Sequence, residues 1–415
     1  MGTDLGHLTT APLTNFEGYA YPNELNLLWS TLIVVYPYVT GLVAGAFIMA
    51  SLVRVFKVRA LEPVYRLSLL TSFAFLLVAP LPLLFHLGHP ERCLNVMVTP
   101  HLSSPMAMFG FVYAWYIMAV LLLELWFEYR RDFVAWAETE RGFKGTLYRL
   151  LTLGVHDVSD AALRLDHRMS RMITMIGIPS AFLLHGYVGF IFGSIKANPW
   201  WGNVLMPIIF IFSAIVSGIA LCVFLYVVIQ WLRRRQVQDN CIDEMGKFMF
   251  FALIIDFAVE VLDAVHRGYA AEESIHILRA MTREHLFDTM LIMQICLGTL
   301  VPVLALGLTQ VFRRRIAPWI RRRVYFVSAV LILLGVLAMR WNVVIGGQLF
   351  SKSLRGLMTF KFEPTGNEGW LMSLALLVLP FAILAVLLKL FLPGGPEAPP
   401  ASLPSRDSAA RPAAT

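Results

Sequence analysis

Met206-Pro-Ile-Ile-Phe-Ile-Phe-Ser-Ala-Ile-Val-Ser-Gly-Ile-Ala-Leu-Cys-Val-Phe-Leu-Tyr-Val-Val-Ile-Gln-Trp-Leu232, followed at once by Arg233-Arg-Arg235, decides the fold. No charge interrupts the run, and about 20 apolar helical residues cross the roughly 30 Å hydrocarbon core of a bilayer. The three arginines mark the end held on the cytoplasmic side. Extended to 204–232, this stretch is one of nine. The others run approximately 27–53, 65–86, 106–128, 170–193, 245–266, 286–311, 322–342 and 370–392. Of 34 Lys and Arg residues, 25 fall in one alternate set of links and 8 in the other, with Arg340 inside a span. Basic links stay cytoplasmic, which places the N-terminus outside and the C-terminus inside. Omitting any one span would mix basic and non-basic links, so the asymmetry supports the count. The expected fold is an all-α membrane protein of about nine transmembrane helices.

A chain that is 58% hydrophobic and 15% charged is too apolar for a soluble domain of this size. Its net charge of +7 comes from the cytoplasmic arginine clusters, which serve orientation next to anionic headgroups and not nucleic-acid binding. Cys93, Cys222, Cys241 and Cys296 form no CxxC pair, so neither an iron–sulfur cluster nor a zinc or other metal site is encoded. Residues 1–26 are polar and lack a basic n-region and an h-region. They read as an external N-terminal segment with no cleaved signal peptide. Within the longest cytoplasmic link, Leu147, Leu150, Leu151, Val155, Val158, Ala162 and Leu165 follow helical spacing, which predicts an interfacial helix over about 147–165. Residues 343–369 read as an external loop. Residues 393–415, with six prolines, read as a disordered cytoplasmic tail.

An ionisable residue within a bilayer costs about 2.5–3.5 kcal/mol on insertion scales, so each one asks for a reason. In the sixth span Asp256, Glu260, Asp263 and His266 are spaced 4, 3 and 3 apart. They occupy an arc of about 120° and climb roughly 15 Å toward the outer surface. Carboxylates so close in a low dielectric do not all stay ionised, and groups of mixed protonation are what a proton path requires. The alternative is a polar seam, with the same residues paired to Arg or backbone groups. Eight histidines, His7, His86, His89, His101, His185, His266, His276 and His285, fall outside or in the outer half of a span, and only His156 and His167 inside. As a set they point to proton chemistry near the outer surface. Bis-His haem ligation needs two imidazoles facing each other at one depth, which His86, His185 and His266 do not supply, so no haem is expected.

Four places carry a family resemblance. The first span holds Gly41-Leu-Val-Ala-Gly45-Ala-Phe, and the second ends in Leu87-Gly-His-Pro-Glu-Arg92 before Ser103-Ser-Pro105. The fourth and fifth carry His185-Gly-Tyr187-Val-Gly189, Ala197-Asn-Pro-Trp-Trp201, Met206-Pro207 and Ser213-Ala-Ile-Val-Ser-Gly218. The eighth ends in Arg340-Trp-Asn-Val-Val-Ile-Gly-Gly-Gln348. Over about residues 20–350 the chain resembles the NrfD/PsrC-type membrane subunits of bacterial respiratory complexes. Its length and His-Gly-Tyr-Val-Gly segment are most similar to the DsrP-type subunit of the sulfur-cycle DsrMKJOP complex.

The resemblance implies two four-helix bundles, 27–193 and 204–342, with the ninth helix over 370–392 an addition. It implies a subunit of the bacterial inner membrane, without haem or cluster, that exchanges electrons between a menaquinone or ubiquinone pool and a periplasmic ferredoxin-like iron–sulfur subunit. A multihaem cytochrome c and other membrane subunits are further candidate partners, and proton translocation a candidate coupling. Tyr187 matches the family's quinol-contacting tyrosine by its distance from Pro199. The family's first-helix His is replaced here by Tyr36-Pro37, and its second-helix Asp by His86, which leaves His86 and His185 as acid–base substitutes. A quinone needs an apolar, aromatic slot with a few polar groups on its carbonyls. Trp29, Tyr36, Tyr113, Tyr187 and Phe190 are candidate walls, with Arg92 from the turn motif. Two rival readings stay open, a proton-coupled transporter using the acidic ladder and a purely structural anchor for a redox complex.

Overall fold

The structure, a computed structural model, describes residues 16–21, 27–101, 103, 104, 106, 109–270, 275–361 and 363–396. Most of the expected N-terminal segment, with His7, lies outside the described residues, as do Pro105 and the tail beyond 396. A short strand β1 (Phe16–Tyr19) comes first. Helix α1 (Thr31–Arg54) follows, its N-terminus capped by the Ser30 hydroxyl accepting from the Leu32 amide. The second span is split into α2 (Glu62–Val78) and α3 (Leu81–His86), with Pro80 and Pro82 at the break. After the short α4 (Asn95–Val98), the third span comprises α5 (Phe109–Ala114), a π-helical stretch over Trp115–Leu122, and α6 (Leu123–Thr139).

The expected interfacial helix over 147–165 is two elements instead. Helix α7 (Gly142–Leu151) ends where Leu153 and Gly154 both take positive φ. Helix α8 (Asp160–Gly193) starts afresh at a Ser159 cap and runs on as the fourth span. Then come α9 (Met206–Leu232), α10 (Asp239–Ala270) and α11 (Ile275–Glu284). The seventh span joins a π-helical stretch, Phe287–Leu300, to α12 (Val301–Val311). Helix α13 (Pro318–Gln348), strand β2 (Arg355–Met358) and α14 (Trp370–Phe391) complete the chain. Among the described residues, eight of the helical segments are long and apolar enough to cross a membrane. The sixth expected span lies in α10, whose charges keep it outside that apolar set. The chain is an all-α membrane protein of about nine helices.

Helix α1 is the hub, because its side chains and backbone are small enough to be surrounded. Almost all of it is buried against α2, α8, α9, α13 and α14. At its tightest crossing a Cβ on Gly45 would lie 2.0 Å from the Ala214 carbonyl oxygen, and one on Gly218 would lie 2.3 Å from the Gly45 Cα. The glycines of the first and fifth spans therefore let two backbones touch, the usual way apolar helices gain contact without a hydrophobic driving force. Around this seam α2, the third span and α8 pack on the α1 side, and α10, the seventh span and α13 on the α9 side. Helix α14 lies against α2 and α1, with Phe381 edge-on to Phe75 at 5.2 Å. Strands β1 and β2 pair antiparallel, Phe16 opposite Met358 and Tyr19 opposite Arg355.

Candidate functional site

Arg340 is fully buried in the middle of the helical body. Its Nη2 donates to the Ser213 hydroxyl at 2.6 Å and lies 3.0 Å from His185 Nε2. Its guanidinium sits 4.0 Å above the Phe210 ring, which also stacks on His185. Helices α8, α9 and α13 thus meet on one cation. Gly41 of α1 completes the enclosure, since a Cβ there would stand 3.1 Å from the imidazole. Asp256 and Glu260 of α10 and Tyr38 of α1 lie within electrostatic reach of the same guanidinium. A cation buried in this way is sustained only by anions and dipoles gathered around it.

Outward from Arg340 the acidic ladder of α10 divides into two parts. Asp256 is buried, and its Oδ1 has no hydrogen-bond partner among the described residues. Glu260, half-buried, accepts from Gln294 Nε2 at 3.1 Å. The Gln294 side-chain carbonyl accepts from Asn342 at 2.8 Å, and Asn342 Oδ1 accepts from Thr289 at 2.6 Å. Gln294 belongs to the second π-helical stretch, the kind of local widening often found at functional sites. Asp263 is held differently. It pairs with Arg267 at 2.8 Å and accepts from Asn203, while Arg267 Nη1 donates to the Pro199 carbonyl at 2.7 Å. His266 is exposed. A cavity of about 180 Å³ lies among these groups, lined by Glu260, Asp263, Arg267, Gln294, Asn342 and Trp200. Asp256 and Glu260 thus face a charge, with Glu260 at the cavity's edge, while Asp263 is pinned at the same cavity by Arg267 and Asn203.

The tyrosines form a separate cluster in the α1 side of the molecule. Thr40 and Tyr113 share a hydrogen bond of 2.9 Å, and the Tyr36 ring is buried beside Tyr113 and Tyr187. Tyr187 itself is only half-buried, and on the same helix Leu183 and Phe190 are exposed. Two residues along α8, His185 points the other way, into the Arg340 cluster. The remaining candidates stand apart. His86 lies 3.1 Å from Glu368 at the end of α3, Arg92 is 68% exposed beside Glu91, and Trp29 stacks on Trp201 at 5.1 Å. The candidate residues therefore resolve into a tyrosine cluster, a buried Arg–His cluster and an outer rim.

Sequence similarity supplies the family. The description "Polysulphide reductase, NrfD" matches residues 22–352. The chain belongs to the NrfD family. Among its relatives is a selenate reductase subunit of Mesobacillus selenatarsenatis, 30% identical over 329 residues, covering 76% of this chain and 73% of that protein. A putative dimethyl sulfoxide reductase membrane subunit of Halobacterium salinarum is 28% identical, covering 74% of this chain and 66% of that protein. The protein NrfD of Escherichia coli is 28% identical over 198 residues, covering 47% of this chain and 58% of that protein.

Arg340, Ser213, Gln294 and Asn342 did not enter the sequence-derived site. Arg340 carried the signal, since it falls within an expected span and the cost of burying it demands partners. Ser213, Gln294 and Asn342 look like ordinary helix residues until α13 and the π-helical turn bring them to the same place. Glu124, fully buried in α6, was missed because it sits close to a basic cytoplasmic link and resembles an interfacial carboxylate.

Proposed function

We propose that this NrfD-family chain is the quinone-interacting membrane subunit of a reductase complex. It exchanges electrons between the quinone pool and a periplasmic iron–sulfur partner. The observation that carries the reading is Tyr187, half-buried on α8 and within electrostatic reach of Tyr36 in the buried Tyr36–Tyr113–Thr40 cluster. A quinone head entering sideways from the bilayer meets an apolar wall first and a hydroxyl network behind it, the composition such a slot needs. Oxidising a quinol releases two electrons and two protons. The electrons leave through the partner. The protons need an acid–base group within hydrogen-bond reach or one water away. Tyr187 orients a quinone oxygen, and the hydroxyls behind it pass the proton inward. His185 acts at one remove, because its Nε2 is occupied by Arg340.

The selenate reductase and dimethyl sulfoxide reductase relatives support placement in a complex that reduces an oxyanion or oxide. Positive-inside loop charge supports an outer N-terminus and a periplasmic partner. The Asp263–Arg267–Asn203 seam speaks against a continuous acidic conduit of the transporter kind. The test is Tyr187→Phe in the assembled complex. Assembly should be intact and quinol turnover impaired by about 10²-fold, the low end of the range for a positioned proton-transfer group. Unchanged turnover moves the site to His86.

A further inference from the structure

Glu124 is a carboxylate that the proposed function does not use. It is fully buried in α6. One oxygen, Oε1, accepts from the Thr174 hydroxyl at 2.7 Å and from the Tyr65 hydroxyl at 3.3 Å, while Oε2 has no hydrogen-bond partner among the described residues. Tyr65 in turn accepts from Arg54 Nε at 3.0 Å. Arg54, Tyr65 and Ser170 all line a cavity of about 450 Å³ that opens at the arginine-rich face and also includes Arg66, Arg131 and His167. That volume holds many waters, each taking about 30 Å³ of liquid. A single tyrosine hydroxyl therefore separates a polar vestibule from a carboxylate deep in the helical body.

Two of the arginines around the vestibule already serve other carboxylates. Arg54 pairs with Glu128, and Arg66 pairs with Glu128 at 2.9 Å and Asp132 at 2.7 Å. The groups that face the Glu124 carboxyl are Arg54 of α1, Tyr65 of α2, Tyr116 of its own span and Thr174 of α8. Above it, Tyr116 and then Tyr113 lie on the same span, with Tyr113 bonded to Thr40. From Glu124 to Tyr113 is roughly 15 Å of helix.

We infer that Glu124 is a proton-accepting site fed from the arginine-rich face through Tyr65, a second half-path separate from the Asp256–Glu260 column. A proton arriving from vestibule water goes to the Tyr65 oxygen while the hydroxyl's own proton passes to Glu124 Oε1. Rotation of the hydroxyl resets the relay. The unpaired Oε2 is the exit, with Tyr116 within electrostatic reach as the next hydroxyl. Only that onward destination rests on the reading of Tyr187 as the quinone contact.

The input step is tested without turnover, by infrared difference spectroscopy of the purified chain over about pH 5–9, a span wide enough to catch a buried carboxyl displaced from its usual range. Subtracting Glu124→Gln from the parent should reveal one titrating carboxyl C=O band. In D2O that band should shift by exchange, and Tyr65→Phe should slow the exchange at least about tenfold, the loss of one positioned proton carrier. Glu124→Asp, which keeps a carboxyl, should retain the band and guards against a folding defect in the amide variant. No titrating band in the parent-minus-Gln difference, or exchange equally fast in Tyr65→Phe, overturns the proposal. Failure of the quinone reading would leave this result standing.

Discussion

Arg340→Met tests whether the buried cation organises the site. Methionine keeps an unbranched stem of similar reach and removes the charge. The guanidinium donates at 2.6 Å to Ser213, stands 3.0 Å from His185 Nε2 and covers Phe210 at 4.0 Å. A hydrogen bond from a charged group contributes about 1.5–3 kcal/mol and a desolvated cation–π contact about 2 kcal/mol. Met regains packing on Phe210, so the net loss is set mainly by what remains, a buried Asp256 and a half-buried Glu260 deprived of this cation. Breaking one side of a buried pair costs about 3–5 kcal/mol, a factor of roughly 10² to 10⁴ in the folded population. The assay is equilibrium unfolding in mixed detergent micelles, read by tryptophan fluorescence. The control is Asp256→Asn combined with Arg340→Met, which removes both charges and should recover more than about 1 kcal/mol of the loss. A single variant within about 1 kcal/mol of the parent refutes the reasoning, as does a double variant that recovers nothing.

Glu260→Gln should assemble normally, because the amide can still bond Gln294, and should slow proton-linked quinol turnover in liposomes. Equal rates and equal proton stoichiometry would reduce this carboxylate to a seam residue. Gly45→Ala should destabilise by about 1–3 kcal/mol, since its methyl would meet the Ala214 carbonyl at 2.0 Å and force α1 and α9 apart. A melting temperature equal to the parent's would show that the contact relaxes freely. Arg267→Gln should loosen the loop before α9 without abolishing turnover, because it frees Asp263 and the Pro199 carbonyl. Faster amide exchange over 197–205 in the variant is the expected signature, and unchanged protection contradicts it.

Helix number was legible in the sequence because it depends on local composition. A long apolar run has few fates, whereas the pairing of Gly45 with Gly218 across α1 and α9 emerged only in the fold. The acidic ladder was legible as a set but not in its division, since Asp263 differs from Asp256 only through Arg267 and Asn203, one a helical turn away and the other in a distant loop. The interfacial helix was misplaced because Leu150, Leu151 and Val155 keep helical spacing across a break set by the backbone at Leu153 and Gly154. Tyr187 and His185, both candidates on one helix, lie two residues apart, a separation that turns them to different partners. The π-helical stretches left no periodic mark, although Gln294 lies in one.

The region matched by the family stops at residue 352, short of both β2 and α14, and begins at 22, after β1. The two outlying strands nonetheless find each other, Glu17 opposite Leu357 and Gly18 opposite Gly356. What lies before the shared core and what lies after it are therefore fastened together as a clasp. Beyond the clasp, α14 packs onto α2. A chain ending with the core would leave that flank, Phe75 included, open to lipid or to a neighbouring protein. Here α14 already covers that flank.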